Sequence, residues 1–297
     1  MAVYSAIEET PMESRGLVLV AGLSGAGKTT LVYSAAAIPD MCPVLGISCD
    51  NSHGAVLSAD FRRLLADENG VLPDLQMDIL RFDSVSDLAT IVENLRADKL
   101  KYKDGRPFKT IILDNLTILQ QRHFAELNGN RVAGRKPEWP EYLQSQMYIV
   151  SLLIMLTTIP GKFVLATCGQ AGEKPGVVPL YENDGITPIV DSQGHARFVE
   201  RKVTDGVGYR LHLSDQVSRM VPGYFSITGR LYIGPKGVRV FDARPTPLFP
   251  IGKYAAGSIY SYRRGKDGQP ERLDGVIRDA TMIEIWDCLR ESNKITE

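Results

Sequence analysis

The sequence predicts an α/β protein: a mostly parallel sheet flanked by helices, with a β-rich C-terminal part. Three observations predict it. Apolar runs alternate with helix-length segments from residue 17 to residue 167. The first run leads directly into a glycine-rich turn and then a helix-forming stretch. Beyond residue 168 the helical periodicity stops, and after a Gly- and Pro-rich stretch the chain reads as strands and turns.

The elements follow in order. Residues 1–15 are a polar lead-in. Residues 17–21, LVLVA, are Val/Leu-rich and apolar throughout, as a strand buried on both faces requires. TLVYSAAA opens a helix, and 43–48 (PVLGIS) is a second buried strand. Residues 55–67 suit a helix and 78–82 (DILRF) a third strand. Ser84 and Asp87 fit a capping box, and Val85, Leu88, Val92 and Leu95 recur at helical spacing, which predicts a helix over 85–100. Residues 110–113 (TIIL) form the next buried strand, ended by Asp114, and a helix follows over 116–127. After a loop at 128–140 come a long helix over 141–158 and a strand, KFVLAT, over 162–167. The stretch 168–195 is an unusually long irregular segment, a length typical of functional loops. Strands are expected at 196–203 and 207–213, a hairpin from 224–233 and 237–243 around Gly234-Pro235-Lys236, and a terminal helix at 277–292. The division is a lead-in (1–15), a core (16–243) and an extension with a terminal helix (244–297).

Composition narrows the function. The chain has 297 residues, 44% hydrophobic and 23% charged, with a net charge of −1, so it lacks the global basic signature of a nucleic-acid binder but can carry a local basic patch. Its four cysteines, Cys42, Cys49, Cys168 and Cys288, are scattered without a C-x-x-C, which suits free thiols in a reducing cytoplasm. The four histidines have no metal-ligand spacing. Residues 1–16 have no apolar core of a signal peptide, and the most apolar helix segment, 148–159, is too short to span a bilayer. A cytoplasmic protein without a membrane partner is expected.

The chemistry concentrates in GLSGAGKTT. Gly22, Leu23, Ser24, Gly25, Ala26, Gly27, Lys28 and Thr29 complete G-x-x-x-x-G-K-[ST], followed by Thr30. Glycines let successive N–H groups turn inward around phosphate oxygens, and the helix behind adds its positive dipole end. Lys28 can reach the β- and γ-phosphates, and the Thr29 hydroxyl can ligate Mg²⁺. The pattern TIILDN places Asp114 at the C-terminal end of a buried strand, where open α/β sheets bind ligands, so Asp114 is the second Mg²⁺ candidate. An aspartate at a strand end can equally cap the helix that follows it. Hydrolysis needs a group that orients or deprotonates water. Position 115 is Asn, so the candidate base is Asp50 in SCDNSHG; a turn-capping aspartate is the alternative.

In this order of motifs the chain resembles the RecA-like P-loop NTPase core, and most of all the small phage-encoded RecA-like ATPases associated with single-strand annealing. The resemblance rests on GLSGAGKTTL (22–31), FKTIILDNLTIL (108–119) and WPEYLQSQMYIVSLLIMLTTIPGKFVLATC (139–168), with GYFSITGRLYI and FPIGKYAAGSIYSYRRG later in the chain. It implies binding of ATP and Mg²⁺, hydrolysis, single-stranded DNA as partner, a homo-oligomeric ring or filament, and the host cytoplasm. It also implies that Thr167 and Gln170 sense the γ-phosphate, and that Lys253 or Arg263 reaches a neighbouring subunit's nucleotide. The family's glutamate base is replaced here by Asp50-Asn51. Candidate DNA contacts are the loop 128–140, with Arg131, Arg135, Lys136 and Trp139, and the loop 170–202. A nucleotide-gated scaffold, a packaging-type ATPase and a small-molecule kinase remain alternatives.

Overall fold

The structure, a computed structural model, describes residues 16–50, 52–66, 69–129, 137–172, 177–179, 190, 192, 198–200, 209–244, 263–264, 270–271 and 275–294. The first half contains β1 (Gly16–Gly22), α1 (Lys28–Tyr33), β2 (Val44–Ser48), α2 (Ala59–Leu64), β3 (Met77–Arg81), α3 (Asp87–Arg96), β4 (Thr110–Asp114), α4 (Leu116–Leu127), α5 (Trp139–Thr157) and β5 (Phe163–Gly172). The second half adds β6 (Val177–Pro179), β7 (Phe198–Glu200), β8 (Tyr209–Leu211), α6 (Asp215–Met220), β9 (Phe225–Ile233), β10 (Arg239–Asp242), β11 (Arg263–Arg264), β12 (Pro270–Glu271), β13 (Val276–Arg278) and α7 (Met282–Lys294).

Among the described residues, nine strands form one sheet in the order β13-β10-β9-β1-β5-β4-β2-β3, with β8 attached to β5. The sheet is parallel from β9 to β3 and antiparallel where β10, β13 and β8 join it. This mixed α/β architecture is compatible with a Rossmann- or P-loop-like core. β1 lies in the middle, between β5 and β9, and every residue of it is buried. That burial explains its unbroken apolar sequence.

Alternation within β1 separates two cores. Val18 and Val20 face a cluster with Leu31, Val32 and Tyr33 of α1, Ile227 and Leu231 of β9, and Ile285, Trp286 and Leu289 of α7. Leu19 and Ala21 face Leu88 and Val92 of α3, Leu116 and Leu119 of α4, and Ile149, Leu152 and Leu156 of α5. The β9–β10 hairpin forms as expected, with Leu231 opposite Phe241. Gly229 is required there because a Cβ would overlap the Phe241 ring.

Several boundaries differ from the sequence expectation. The helix expected at 55–67 is a 3-10 turn, Ser52–Leu57, followed by α2, which Ser58 caps by accepting a hydrogen bond from Phe61 N at 3.1 Å. The helix expected over 85–100 spans only Asp87–Arg96; the Asp87 carboxylate accepts from Ser84 N at 3.0 Å, and Glu126 from α4 accepts from Val85 N at 2.7 Å. Residues 277 and 278, expected to begin the terminal helix, belong instead to the edge strand Val276–Arg278 against β10. The described end of the chain thus closes onto the same sheet and core as β1. No helix among the described residues is long and apolar enough to cross a membrane.

Candidate active site

The glycine loop follows β1 directly. Gly25 (φ 78°) and Gly27 (φ 89°) adopt left-handed backbone that other residues rarely take. Gly22 is needed for another reason: a Cβ would sit 2.5 Å from the Leu231 carbonyl oxygen on β9. Ala26 N donates to Leu23 O at 3.3 Å, and the Lys28 ammonium donates to the same carbonyl at 2.9 Å, so the loop curls around its own lysine. Burial lowers the Lys28 pKa, opposed by the charges of Asp114 and then Cys168 and Asp50. Both carboxylates therefore lie close enough to act on this ammonium.

Asp114 ends β4 and is 2% exposed. Its Oδ2 accepts a 2.8 Å hydrogen bond from the Thr29 hydroxyl, and its Oδ1 accepts from the Thr167 hydroxyl. Thr167 arrives because β5 runs between β1 and β4, with Val20 beside Thr167 and Leu113 beside Ala166. Burial raises the Asp114 pKa, and the two threonine hydroxyls oppose that shift. The capping alternative for Asp114 is met by its neighbour: the Asn115 side chain caps α4, accepting from Ile118 N at 3.1 Å. The Asp114–Asn115 peptide bond is cis.

Gln170 stands one residue past the Gly22–Gly169 pair. Its Oε1 accepts from Arg230 Nε at 3.2 Å, while its buried Nε2 has no hydrogen-bond partner among the described residues. Asp50 follows β2 and is half-buried, its carbonyl accepting from the Ser48 hydroxyl at 2.5 Å. Its charge also helps to raise the Asp114 pKa. The structure thus brings Lys28, Thr29, Asp114, Thr167, Gln170 and Asp50 to one end of the sheet, with Thr30 in the first turn of α1. Lys253 and the loop residues Arg131, Arg135 and Lys136 lie outside the described residues, as does the side chain of Arg263, whose backbone pairs with Glu271. Trp139, at the head of α5, is 77% exposed.

The chemistry of the donor set fits a hard divalent cation: a carboxylate and a hydroxyl meet beside the glycine loop, the oxygen ligation that Mg²⁺ prefers. Thr29 and Asp114 are the residues that would hold it. The orphaned Gln170 amide donor and the Lys28 ammonium would meet phosphate oxygens. Among the described residues no cluster of three or more His, Cys, Asp or Glu could hold a metal by itself.

Sequence reasoning missed three groups here. His53 is buried between Ser48, at 3.1 Å from Nδ1, and Arg81, whose Nε lies 3.2 Å from Nε2, so it ties the end of β2 to the end of β3. Arg122 reaches from α4 to the Phe82 and Asp83 carbonyls at 3.0 and 2.8 Å and stacks over the Phe82 ring. Arg239 approaches the glycine loop from β10, and Arg230 reaches Gln170 from β9, although the core sequence near Lys28 offers no arginine. A charged residue inside the apolar strand SITGRLYI was the available signal for Arg230; its partner strand was not legible. No protein-family model matches the chain, and no curated protein matches it.

Proposed function

We propose that the chain is an ATP-binding, Mg²⁺-dependent P-loop ATPase of RecA-like type. The observation that carries this reading is the Thr29–Asp114 hydrogen bond, which joins the phosphate loop to the strand-end acid across 85 positions. The sensor strand β5 between the two strands, with Thr167 on Asp114, supports it further. ATP would lie with its phosphates in the loop 22–30. Bound Mg²⁺ would supply charge neutralisation at the outer phosphates. Lys28 binds and orients those oxygens, Gln170 offers them an amide donor, and Asp50 accepts a proton from the attacking water.

On the same reading, single-stranded DNA is the partner and the working form is a homo-oligomeric ring or filament. The support is the basic loop leading to exposed Trp139, together with the resemblance to the phage RecA-like family. Lys253 or Arg263 would then stabilise charge on a neighbour's phosphates. A second reading, a nucleotide-gated scaffold with little turnover, is favoured by Asn115, which is committed to capping α4 and leaves Asp50 as the base candidate.

The test is nucleotide binding and ATP hydrolysis by wild type and Lys28→Ala, with and without single-stranded DNA. Loss of binding or turnover in a folded variant is expected, and DNA stimulation of the wild type separates the ATPase from the scaffold. A folded Lys28→Ala protein with wild-type affinity and turnover would sink the reading.

A further inference from the structure

Arg239 opens β10 on the sheet face that carries Phe241 and Ala243, both buried in the core shared with α1. The side chain passes the glycine loop at Gly27. A Cβ built on Gly27 would lie 3.2 Å from Arg239 Cδ and 3.8 Å from its Nη1. Neighbouring arginines on this side of the fold are engaged: Arg230 donates to Gln170 at 3.2 Å, and Arg244 to Asp242 at 2.8 and 2.9 Å. Among the described residues Arg239 alone of this group has no acceptor, and it is half-buried. A guanidinium left without a carboxylate beside an anion cradle is an available bidentate phosphate donor.

Its side of the loop decides which phosphate it meets. β1 divides the site. On the β5–β4 side lie Asp114, Thr167 and Gln170, with Thr29 of α1 bonded to Asp114, the groups suited to Mg²⁺ and the terminal phosphate. Arg239 comes from β10, on the other flank of β1 in the sheet order, and meets the loop at Gly27. We propose that Arg239 binds the inner, nucleoside-proximal phosphates of a nucleotide in cis, the part that di- and triphosphate share. This rests on the nucleotide-binding reading of the loop. Arg239 is thus an affinity residue, distinct from a trans-acting finger that responds to the terminal phosphate.

Mg²⁺–ADP and Mg²⁺–ATP affinities of the full chain test it in wild type, Arg239→Ala and Arg239→Lys, with thermal unfolding to verify each fold. Arg239→Ala is expected to weaken both nucleotides by the same factor, about tenfold to a hundredfold. KM should rise while kcat at saturation holds, because the interaction is present equally in ground and transition states. Arg239→Lys should recover part of the loss. Wild-type affinity for both nucleotides in a folded Arg239→Ala protein overturns the proposal and leaves the loop reading standing. Selective loss of ATP with a fall in kcat also overturns it, by moving Arg239 to the terminal phosphate. If the wild type binds neither nucleotide, the loop reading falls and this proposal falls with it.

Discussion

The Thr29 hydroxyl donates a 2.8 Å hydrogen bond to Asp114 Oδ2, while the Thr167 hydroxyl holds the other oxygen of the same carboxylate. The helix that follows β1 and the strands β4 and β5 therefore converge on one buried acid. The sheet order makes this possible, since β5 brings Thr167 between the loop strand and the acid strand.

Asp114→Asn should separate stability from chemistry. Burial holds the Asp114 carboxyl above its ordinary 3.8. A raised folded pKa means the folded state favours the protonated form: the contribution is fully present below the unfolded pKa and is lost as pH rises through the folded one. At neutral pH the wild type carries that loss and the amide does not. Denaturant midpoints should therefore place Asp114→Asn above wild type at pH 7, with the gap narrowing toward pH 4. Turnover should drop about 10²–10³-fold. Metal ligation needs the carboxylate, so Mg²⁺-supported nucleotide binding should fail on acidification at a higher pH than an ordinary aspartate would dictate.

Asp50→Asn should reduce turnover by about 10²–10⁴-fold, the usual contribution of a general base, with nucleotide affinity preserved. Pre-steady-state and steady-state hydrolysis, alongside direct binding, check this. Unchanged turnover would place the base elsewhere.

Tyr33 and Gly46 offer a packing test behind the site. Tyr33 is fully buried, its hydroxyl has no partner among the described residues, and a Cβ on Gly46 would overlap that hydroxyl and the ring. Gly46→Ala should cost about 1–3 kcal/mol by overpacking. Tyr33→Phe should be neutral or stabilising by about 1 kcal/mol, since it removes an unsatisfied buried group. The double variant should be less destabilised than the sum of the two single changes, as expected for residues that touch. Urea unfolding of the four proteins measures the coupling.

Changing Arg131, Arg135 and Lys136 together to Ala should weaken single-stranded DNA binding. The log–log salt slope should fall by about 0.7 for each phosphate that the variant no longer neutralises. Trp139→Ala should cost about 1–3 kcal/mol with the salt slope unchanged, because stacking releases no counterions. Absence of wild-type binding at low salt with ATP present would remove DNA from the proposed function.

The buried strands were legible because their chemistry is local. LVLVA is apolar throughout, PVLGIS and TIIL each carry a single hydroxyl residue, and β1, β2 and β4 are buried on both faces. The glycine loop was legible because φ values of 78° and 89° restrict Gly25 and Gly27 to glycine. Helix ends were read less well. The terminal helix starts at Met282, where Glu284 accepts from Thr281 N at 2.8 Å; the Thr-x-x-Glu signal was present, but residues 277–281 looked helical because the strand partner of β13 is remote. Arg239 was out of reach for the same reason. Its place beside Gly27 depends on β9 pairing with β1, with Ala21 opposite Arg230, and nothing local encodes that register.

Met282 N donates to the Ser34 hydroxyl at 2.7 Å, a bond spanning 248 positions, and the Ser34 hydroxyl in turn donates to Leu31 O at 2.5 Å. The helix that follows the glycine loop is thus roofed by α7, a segment translated long after it. During synthesis the exposed back of α1, with Leu31, Val32 and Tyr33, must wait for Ile285, Trp286 and Leu289 before its core closes. Such late, non-local closure slows folding and leaves apolar surface open to chaperones in the interval. It also times competence: a nascent chain can spell the whole glycine loop well before the helix behind that loop has its final support.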